Sequence, residues 1–345
     1  MNKKIGIREL AAHMGMAVST VSRAMNGSRD VSAETRQRIL DEAQRLGYRP
    51  NQSGRSLRSG VTNAVAMTMR TDIGRTASGE TFFMAISEGL QSVLSKAGID
   101  LMILPCASDQ DENEFLYRVV DRGLADAFIV SNIQRFDPRI TYLGKLRVPF
   151  VALGNSETSG NYASLDLDFA RVARESVDRL VKAGHRDIVL ALTAQETYNN
   201  YIFLDGYRQG LAAAEIPFRE DLVLRLYDRI SGGFELANSI LAMRSRPTAA
   251  LLIQETMAMG LYQGLRHGGV EPGQELAIIG LRENPVCRYL SPTLTSHRID
   301  LKQYGIRLGE VVLHEIKRMS SETARRDDMP IREIWPMALV EAESG

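Results

Sequence analysis

The sequence predicts a small all-α unit at the N-terminus followed by a larger, two-lobed α/β unit with doubly wound parallel sheets. Apolar residues recur with the helical period over the first fifty residues, whereas short apolar strands alternate with amphipathic helices from about residue 62. The length of 345 residues leaves room for two or three such units. Charge divides the chain in the same place, because residues 1–60 hold 11 Lys and Arg against 5 Asp and Glu.

Three helices are predicted before residue 50. The first carries one apolar face and ends at a glycine turn, with the members Ile7, Leu10, Ala11, Met14 and then Gly15. The second points Val21, Ala24 and Met25 inward and leaves a polar outer face of Ser19, Thr20, Ser22, Arg23 and Asn26. The third begins at the N-cap Ser32, ends at Gly47 and has the apolar face Ile39, Leu40, Ala43 and Leu46.

A helix, a glycine turn and a second helix with a polar face are typical of the helix-turn-helix motif. A helix that lies in the major groove of DNA needs short polar side chains and an arginine that can donate twice to guanine. Residues 19–26 provide such a face. The solvated surface of any small three-helix unit would look similar, so the helical pattern alone leaves that alternative open.

The uneven charge also indicates an anionic partner for the basic end, either nucleic acid or a membrane surface. No apolar run reaches the roughly 18 residues of a membrane span, and no signal peptide is evident, so we expect a cytoplasmic protein without a membrane partner. Cys106 and Cys287 are far apart and lack a CxxC pattern, which predicts neither a disulfide framework nor a zinc site.

Seven short apolar runs mark the strands of the larger unit. They are AVAMTM, DLMILPCA, AFIVSN, PFVALG, DIVLAL, TAALLIQ and LAIIGL. Strands that alternate with helices predict parallel sheets, and the two groups of runs predict two lobes. Ligands of such sheets bind at the carboxyl ends of the strands, so the residues that follow each run should line a cleft.

The residues at these strand ends are polar and rich in amide and carboxylate groups. They are Thr71, Asp72, Ser108, Asp109, Ser131, Asn132, Asn155, Thr193, Gln195, Gln254, Glu255, Arg282 and Glu283. This chemistry suits a polyhydroxylated ligand, because every buried hydroxyl must be paired. Apolar faces for a sugar ring could come from Phe82, Phe83, Tyr198 and Phe203. Loops that are polar only because they are exposed would show the same composition.

Four motifs at the N-terminal end occur in unbroken order: TVSRAMNGS, VSAETRQRIL, LGYRPN and RSLRSG. With them the chain resembles the LacI family of bacterial transcription regulators. The resemblance implies DNA contacts from the recognition helix and from a hinge helix at Asn51 to Ser59. The implied contact residues are Val18, Ser19, Thr20, Ser22, Arg23, Asn26, Asn51, Arg55, Ser56 and Leu57.

The resemblance assigns Leu57 to the minor groove, and its chemistry agrees. An apolar side chain wedged between base steps unstacks and kinks the duplex at a cost of a few kcal/mol, which the added contacts offset. Leu57 stands among arginines and serines with no apolar neighbours to join. Packing of Leu57 on the adjoining unit is the alternative.

Further motifs, among them LVKAGHRDIVLAL and LDGYRQGLAAAEI, resemble the effector-binding module of the same family, which is similar to periplasmic sugar-binding proteins. The expected effector contacts are Asp72, Phe82, Asn132, Asp168, Tyr198, Phe203, Gln254, Glu255 and Arg282. Three of these positions depart from the family: Phe203 replaces an arginine, Gln254-Glu255 replaces Asn-Asp, and Arg282 replaces an aspartate. The departures disfavour a simple monosaccharide, and the segment FFMAISEGLQSVLSKAGIDLMILP resembles the α-glucoside branch.

The sequence therefore predicts a DNA-binding domain at 1–50, a hinge at 51–61, and an effector and dimerisation domain at 62–345. Within the latter we expect one lobe at about 62–163 and 293–325 and the other at about 164–291. The expected function is a homodimeric repressor, released from a palindromic operator by a disaccharide or α-glucoside such as sucrose. An acidic or phosphorylated sugar, a corepressor, and a non-regulatory sugar-binding protein remain alternatives.

Catalytic signatures are not found in the sequence. It has no Gly-x-Ser-x-Gly, P-loop or HExxH motif, and its five histidines show no metal-ligand spacing. We therefore expect no enzyme activity, no cofactor and no bound metal.

Overall fold

The computed structural model describes residues 5–25, 28, 30–48, 60–71, 79–226, 230–320 and 329–345. The chain divides into two compact units, Met1–Thr62 and Asn63–Gly345. No helix in the described ranges is long and apolar enough to cross a bilayer.

The N-terminal unit consists of helices α1 (Ile7–His13), α2 (Val18–Met25) and α3 (Ala33–Arg45). Their predicted inner faces meet in a small core in which Leu10, Val21 and Ile39 have no exposed surface. Ser32 caps α3 as predicted, because its hydroxyl accepts a hydrogen bond from the Thr35 amide at 3.2 Å. Leu40 was expected on the inner face but is 38% exposed, because it lies about 100° around the helix from the buried Ile39.

The larger unit contains twelve strands and eight helices in its described part. The strands are β1 (Ala64–Arg70), β2 (Asp100–Cys106), β3 (Ala127–Val130), β4 (Phe150–Leu153), β5 (Ala163–Leu167), β6 (Ile188–Thr193), β7 (Val223–Leu226), β8 (Ala249–Leu252), β9 (Ala277–Arg282), β10 (Thr295–Arg298), β11 (Arg332–Trp335) and β12 (Ala338–Val340). The helices are α4 (Gly79–Leu94), α5 (Glu112–Asp121), α6 (Pro138–Leu146), α7 (Phe169–Lys182), α8 (Tyr198–Ala213), α9 (Ile230–Ala242), α10 (Met257–His267) and α11 (Leu301–Ser320).

These strands form two six-stranded sheets, one in each lobe. The sheet of the N-lobe has the order β11-β5-β4-β3-β1-β2, and all its pairs are parallel. The sheet of the C-lobe has the order β12-β10-β9-β8-β6-β7, in which only the β10–β12 pair is antiparallel. The predicted α/β class with doubly wound parallel sheets is therefore confirmed.

The chain crosses between the lobes after β5, after β10 and after β11. The sequence placed the first two crossings too early, at 163/164 and near 292. Residues 163–167 pair with β4 in the N-lobe, and residues 295–298 pair with β9 in the C-lobe. Both strands lack a continuous apolar run, which is the signal that identified the other strands, so their pairing could not be predicted.

Candidate nucleic-acid interface and ligand cleft

The outer face of α2 carries the side chains that were predicted to contact DNA. Val21 and Ala24 fix the helix in the core with 0% and 2% exposure. Val18, Ser19 and Arg23 are exposed on the opposite side. Thr20 and Ser22 are partly buried on the same helix. Short polar groups and one arginine are thus available on a helix that is held by its apolar face.

The turn before α2 depends on Gly15, which adopts a left-handed conformation with φ of +62°. The Ala17 carbonyl then accepts hydrogen bonds from the amides of Thr20 and Val21 at 3.0 and 3.2 Å. Ala17 has no side-chain oxygen that could cap the helix. The amides of Val18 and Ser19, at the start of α2, can therefore donate to an external acceptor such as a phosphate oxygen.

Several predicted site residues lie outside the described residues. For the DNA contacts these are Asn26, Asn51, Arg55, Ser56 and Leu57, and for the effector cleft Asp72.

In the larger unit, a cavity of about 140 Å3 lies where strands of the two lobes end. Most of its wall belongs to the N-lobe, namely Phe82, Phe83, Ser131, Asn132, Ile133, Leu153, Gly154, Asn155, Asp166, Leu167 and Tyr304. The C-lobe contributes Phe169, Thr197 and Asn199. The described lining therefore offers hydroxyl and amide groups, one carboxylate and several aromatic rings, but no Lys, Arg or His.

The structure places the predicted effector contacts in several different environments. Phe82 and Asn132 line the cavity. Asp168 does not, because its carboxylate caps α7 by accepting from the Arg171 amide at 3.1 Å. Phe203 is fully buried in the apolar core, so it has no face on which a ligand could stack. Gln254 is partly buried and lies outside the described lining.

Asp166 is the carboxylate of the cavity, and the sequence analysis missed it. It accepts hydrogen bonds from the backbone amides of Asn155 at 3.0 Å and Leu167 at 2.8 Å. Burial raises the pKa of Asp166 to about 6. The alternating segment SLDLD contained the signal, since Asp166 is the acidic residue inside the strand and Asp168 is the one that follows it.

Asn132 is held in place by a buried ionic network of the N-lobe. Its backbone is left-handed, with φ of +56°, and its side-chain amide donates to Glu112 Oε1 at 2.8 Å. Arg139 donates from Nη2 to the Asn132 carbonyl at 2.9 Å. The guanidinium of Arg139 also pairs with Asp137 Oδ2 at 2.6 Å and with Glu112 Oε2 at 3.1 Å. Asn132 therefore reaches the cavity from a rigid support.

Glu255 and Arg282 form an ion pair at the strand ends of the C-lobe. Arg282 Nη2 lies 2.9 Å from Glu255 Oε1, and the two side chains are 11% and 5% exposed. Asn284 Nδ2 donates to the same oxygen at 3.2 Å. The guanidinium carbon of Arg282 is 4.7 Å from the ring centroid of Phe82, which belongs to the N-lobe.

A second set of contacts joins the lobes through residues 133–135 and 197–201, which we call the rim clasp. The Tyr198 amide donates to the Ile133 carbonyl at 2.9 Å. Gln134 and Thr197 form an antiparallel bridge. The guanidinium carbon of Arg135 lies 4.0 Å from the centroid of the Tyr201 ring. Tyr198, predicted as an effector contact, thus takes part in this clasp and is absent from the described lining.

Two family models match the chain: residues 6–51 match the bacterial regulatory proteins of the lacI family, and residues 177–341 match the periplasmic binding protein-like domain. The HTH-type transcriptional regulator RafR of Escherichia coli is 30% identical, over 79% of this chain and 79% of its own. The chain belongs to the LacI family.

Two solved structures have the same fold as this LacI-family chain. A complex of the transcriptional regulator CelR with cellobiose has a TM-score of 0.72 at 23% identity, and the match covers 99% of this chain and 100% of the other. The Lac repressor dimer bound to operator and the anti-inducer ONPF has a TM-score of 0.83 at 19% identity, with 99% of both chains covered.

Members of the LacI family are transcription regulators and not enzymes. The lacI-family model over residues 6–51 and the periplasmic binding protein-like model over residues 177–341 make the chain a DNA-binding transcription regulator of this family. Family membership sets aside the alternative of a sugar-binding protein without regulatory function.

Proposed function

We propose that this regulator is a repressor whose effector is a neutral disaccharide or α-glucoside, such as sucrose, bound in the cavity between the lobes. The observation that carries the proposal is the chemistry of the described cavity wall. It offers hydroxyl, amide and carboxylate groups, which pair with sugar hydroxyls, and aromatic rings for the apolar ring faces. Arg282, the candidate counter-ion for an acidic or phosphorylated sugar, is already paired with Glu255.

The cavity is too small to hold a disaccharide unless the cleft opens. About 140 Å3 is small beside the roughly 300–1,000 Å3 of typical ligand pockets. A disaccharide would therefore have to separate the lobes at the rim clasp. The cellobiose bound to the structurally similar CelR supports a ligand of this class.

We propose that the DNA contacts are made by α2 and by the hinge. The residues are Val18, Ser19, Thr20, Ser22 and Arg23, together with Asn26, Asn51, Arg55, Ser56 and Leu57. In this mechanism, effector binding changes the spacing of the lobes, the paired hinge helices separate, and Leu57 leaves the minor groove. Effector and operator must then change each other's affinity by the same factor.

A thermal-shift screen tests the effector class. A ligand that binds only the native state raises the melting temperature. We expect a shift with a neutral disaccharide such as sucrose and none with sugar phosphates or sugar acids. A shift with acidic or phosphorylated sugars alone would establish the alternative effector. An effector that tightens operator binding would be a corepressor and not an inducer.

Operator binding tests the proposed DNA contacts. Dimer symmetry predicts a near-palindromic site with half-sites roughly one helical turn apart, and phosphate contacts predict affinity that falls steeply with salt. Leu57→Ala should weaken specific binding far more than non-specific binding, because the wedge acts only on the kinked site. Equal losses on both kinds of DNA would contradict the wedge, and Leu146→Ala, which truncates an exposed leucine of the larger unit, is a matched control.

A further inference from the structure

The two central strands of the C-lobe sheet end in residues that bind each other. Arg282 is the last residue of β9, and Glu255 follows the neighbouring β8. Both therefore lie at the edge of the sheet where a ligand of this fold is expected. The described lining of the cavity nevertheless includes neither residue.

The guanidinium of Arg282 spans the gap between the lobes. On the C-lobe side it pairs with Glu255, which is buried and receives a second hydrogen bond from Asn284. On the N-lobe side it lies over the Phe82 ring at 4.7 Å. A carboxylate on one side and an aromatic face on the other are the two groups that recognise a guanidinium ion.

We propose that Arg282 is an internal ligand of the cleft, whose guanidinium fills the space between Glu255 and Phe82 that an external molecule would otherwise occupy. The pairing closes the ends of β8 and β9, so the described C-lobe lining of the cavity is limited to Phe169, Thr197 and Asn199. Arg282 thereby sets the size and the charge of the effector: it shortens the cavity and takes up the Glu255 carboxylate. This second consequence rests on the proposed function, whereas the internal binding of the guanidinium does not.

Removal of the side chain should leave a site with a defined preference. In Arg282→Ala, the Glu255 carboxylate stays buried without its counter-ion, beside an uncovered aromatic ring. A buried carboxylate that has lost its partner is strongly destabilising. A small guanidinium ion from solution restores the pair and should therefore stabilise the variant.

The test is a thermal titration of the full-length protein with ethylguanidinium at millimolar concentration. We expect a saturable rise in the melting temperature of Arg282→Ala and no rise for the wild type, in which the site is filled. Equal concentrations of sodium chloride serve as the ionic control. The double variant Glu255→Gln/Arg282→Ala should not respond, because the carboxylate is gone. Arg282→Ser, which leaves a hydroxyl near Glu255, takes the place of the alanine variant if that variant does not fold.

A flat titration for the single variant, or an equal rise in wild type and double variant, would overturn the internal-ligand assignment. Effector size is tested on the same proteins. A trisaccharide that extends the disaccharide bound by the wild type should bind Arg282→Ala more tightly than wild type, and ethylguanidinium should abolish the gain. Lack of that gain overturns the role of Arg282 in specificity. If no neutral sugar binds the wild type, the proposed function and the specificity role fail together, while the titration still decides the internal ligand.

Discussion

The two lobes of the larger unit have nearly the same sheet, yet they present different chemistry to the cleft. In the N-lobe, the strand ends leave Ser131, Asn132 and Asn155 facing the cavity. In the C-lobe, the ends of β8 and β9 close on each other through Glu255 and Arg282. Topology therefore decides where polar groups collect, whereas the pairing of those groups decides which of them can bind a ligand.

The largest expected effect concerns the buried network behind the N-lobe wall. Arg139→Met leaves Asp137 and Glu112 without their shared cation, and loss of one partner from a buried pair costs about 3–5 kcal/mol. We expect a corresponding fall in the free energy of unfolding, measured by urea denaturation. Arg288→Met removes a side chain that is 70% exposed and should change stability little. Similar losses in both variants would contradict a special support for Asn132.

Because of Asp166, in the N-lobe wall of the cavity, we predict that the stability of the folded protein depends on pH. Its pKa is raised from 3.8 to about 6 in the folded protein, so its contribution to stability is complete below pH 3.8 and is lost as the pH rises through 6. A rise of this size in one pKa corresponds to roughly 3 kcal/mol. The melting temperature of Asp166→Asn relative to wild type should therefore increase between pH 4 and pH 7.

Asp221 provides a control of opposite sign for this measurement. The Arg219 guanidinium lowers the pKa of Asp221, so the wild-type residue adds stability above its unfolded pKa and loses it on acidification. Asp221→Asn should thus lose stability relative to wild type at pH 7. A pH-independent difference for Asp166→Asn would contradict the burial of an ionisable carboxyl at the cavity.

Measurements of effector affinity should distinguish the contribution of the N-lobe from that of the C-lobe. Asn132→Gly keeps the left-handed backbone but removes the amide, which should weaken binding of the effector by about tenfold to a hundredfold, equivalent to about 1–3 kcal/mol. Gln254→Ala changes a strand-end amide of the C-lobe outside the described lining and should have a much smaller effect. Calorimetric titration with the effector measures both. Comparable losses would mean that both walls contact the ligand.

The smallest expected effect is kinetic and concerns the rim clasp. Arg135→Ala removes the cation from the face of Tyr201 and should speed effector release a few-fold in stopped-flow measurements, because the lobes then separate more readily. Arg118→Ala removes a cation from the Phe115 ring, away from the cleft, and serves as the control. Unchanged release rates in Arg135→Ala would show that the clasp does not limit exchange.

The fold could be predicted because its signals are local. The three helices of the N-terminal unit follow from apolar periodicity and from the turns at Gly15 and Gly47, both of which have positive φ. The strands with continuous apolar runs were found in the same way. The strands β5, β7, β10 and β11 were not predicted because polar or charged residues interrupt their apolar runs, and β12 was not predicted because it has only three residues.

The cleft could be predicted only in part. The strand-end rule located Asn132, and aromatic content pointed to Phe82. Neither signal could show that Glu255 and Arg282 form an ion pair, that Asp168 caps a helix, or that Phe203 points into the core. Each of these outcomes depends on a contact between elements or on the rotation of one helix, and neither is encoded in the identity of a single residue.

The most direct test compares a neutral disaccharide with its phosphorylated form, for example sucrose with sucrose 6-phosphate. The single tryptophan, Trp335, packs edge-on against Tyr304 of the cavity wall at 5.7 Å, so its fluorescence should report occupancy. We predict a saturable change with the neutral sugar and none at equal concentration of the phosphorylated one. Tighter binding of the phosphorylated sugar would contradict the claim that Arg282 is paired with Glu255 and does not bind the effector.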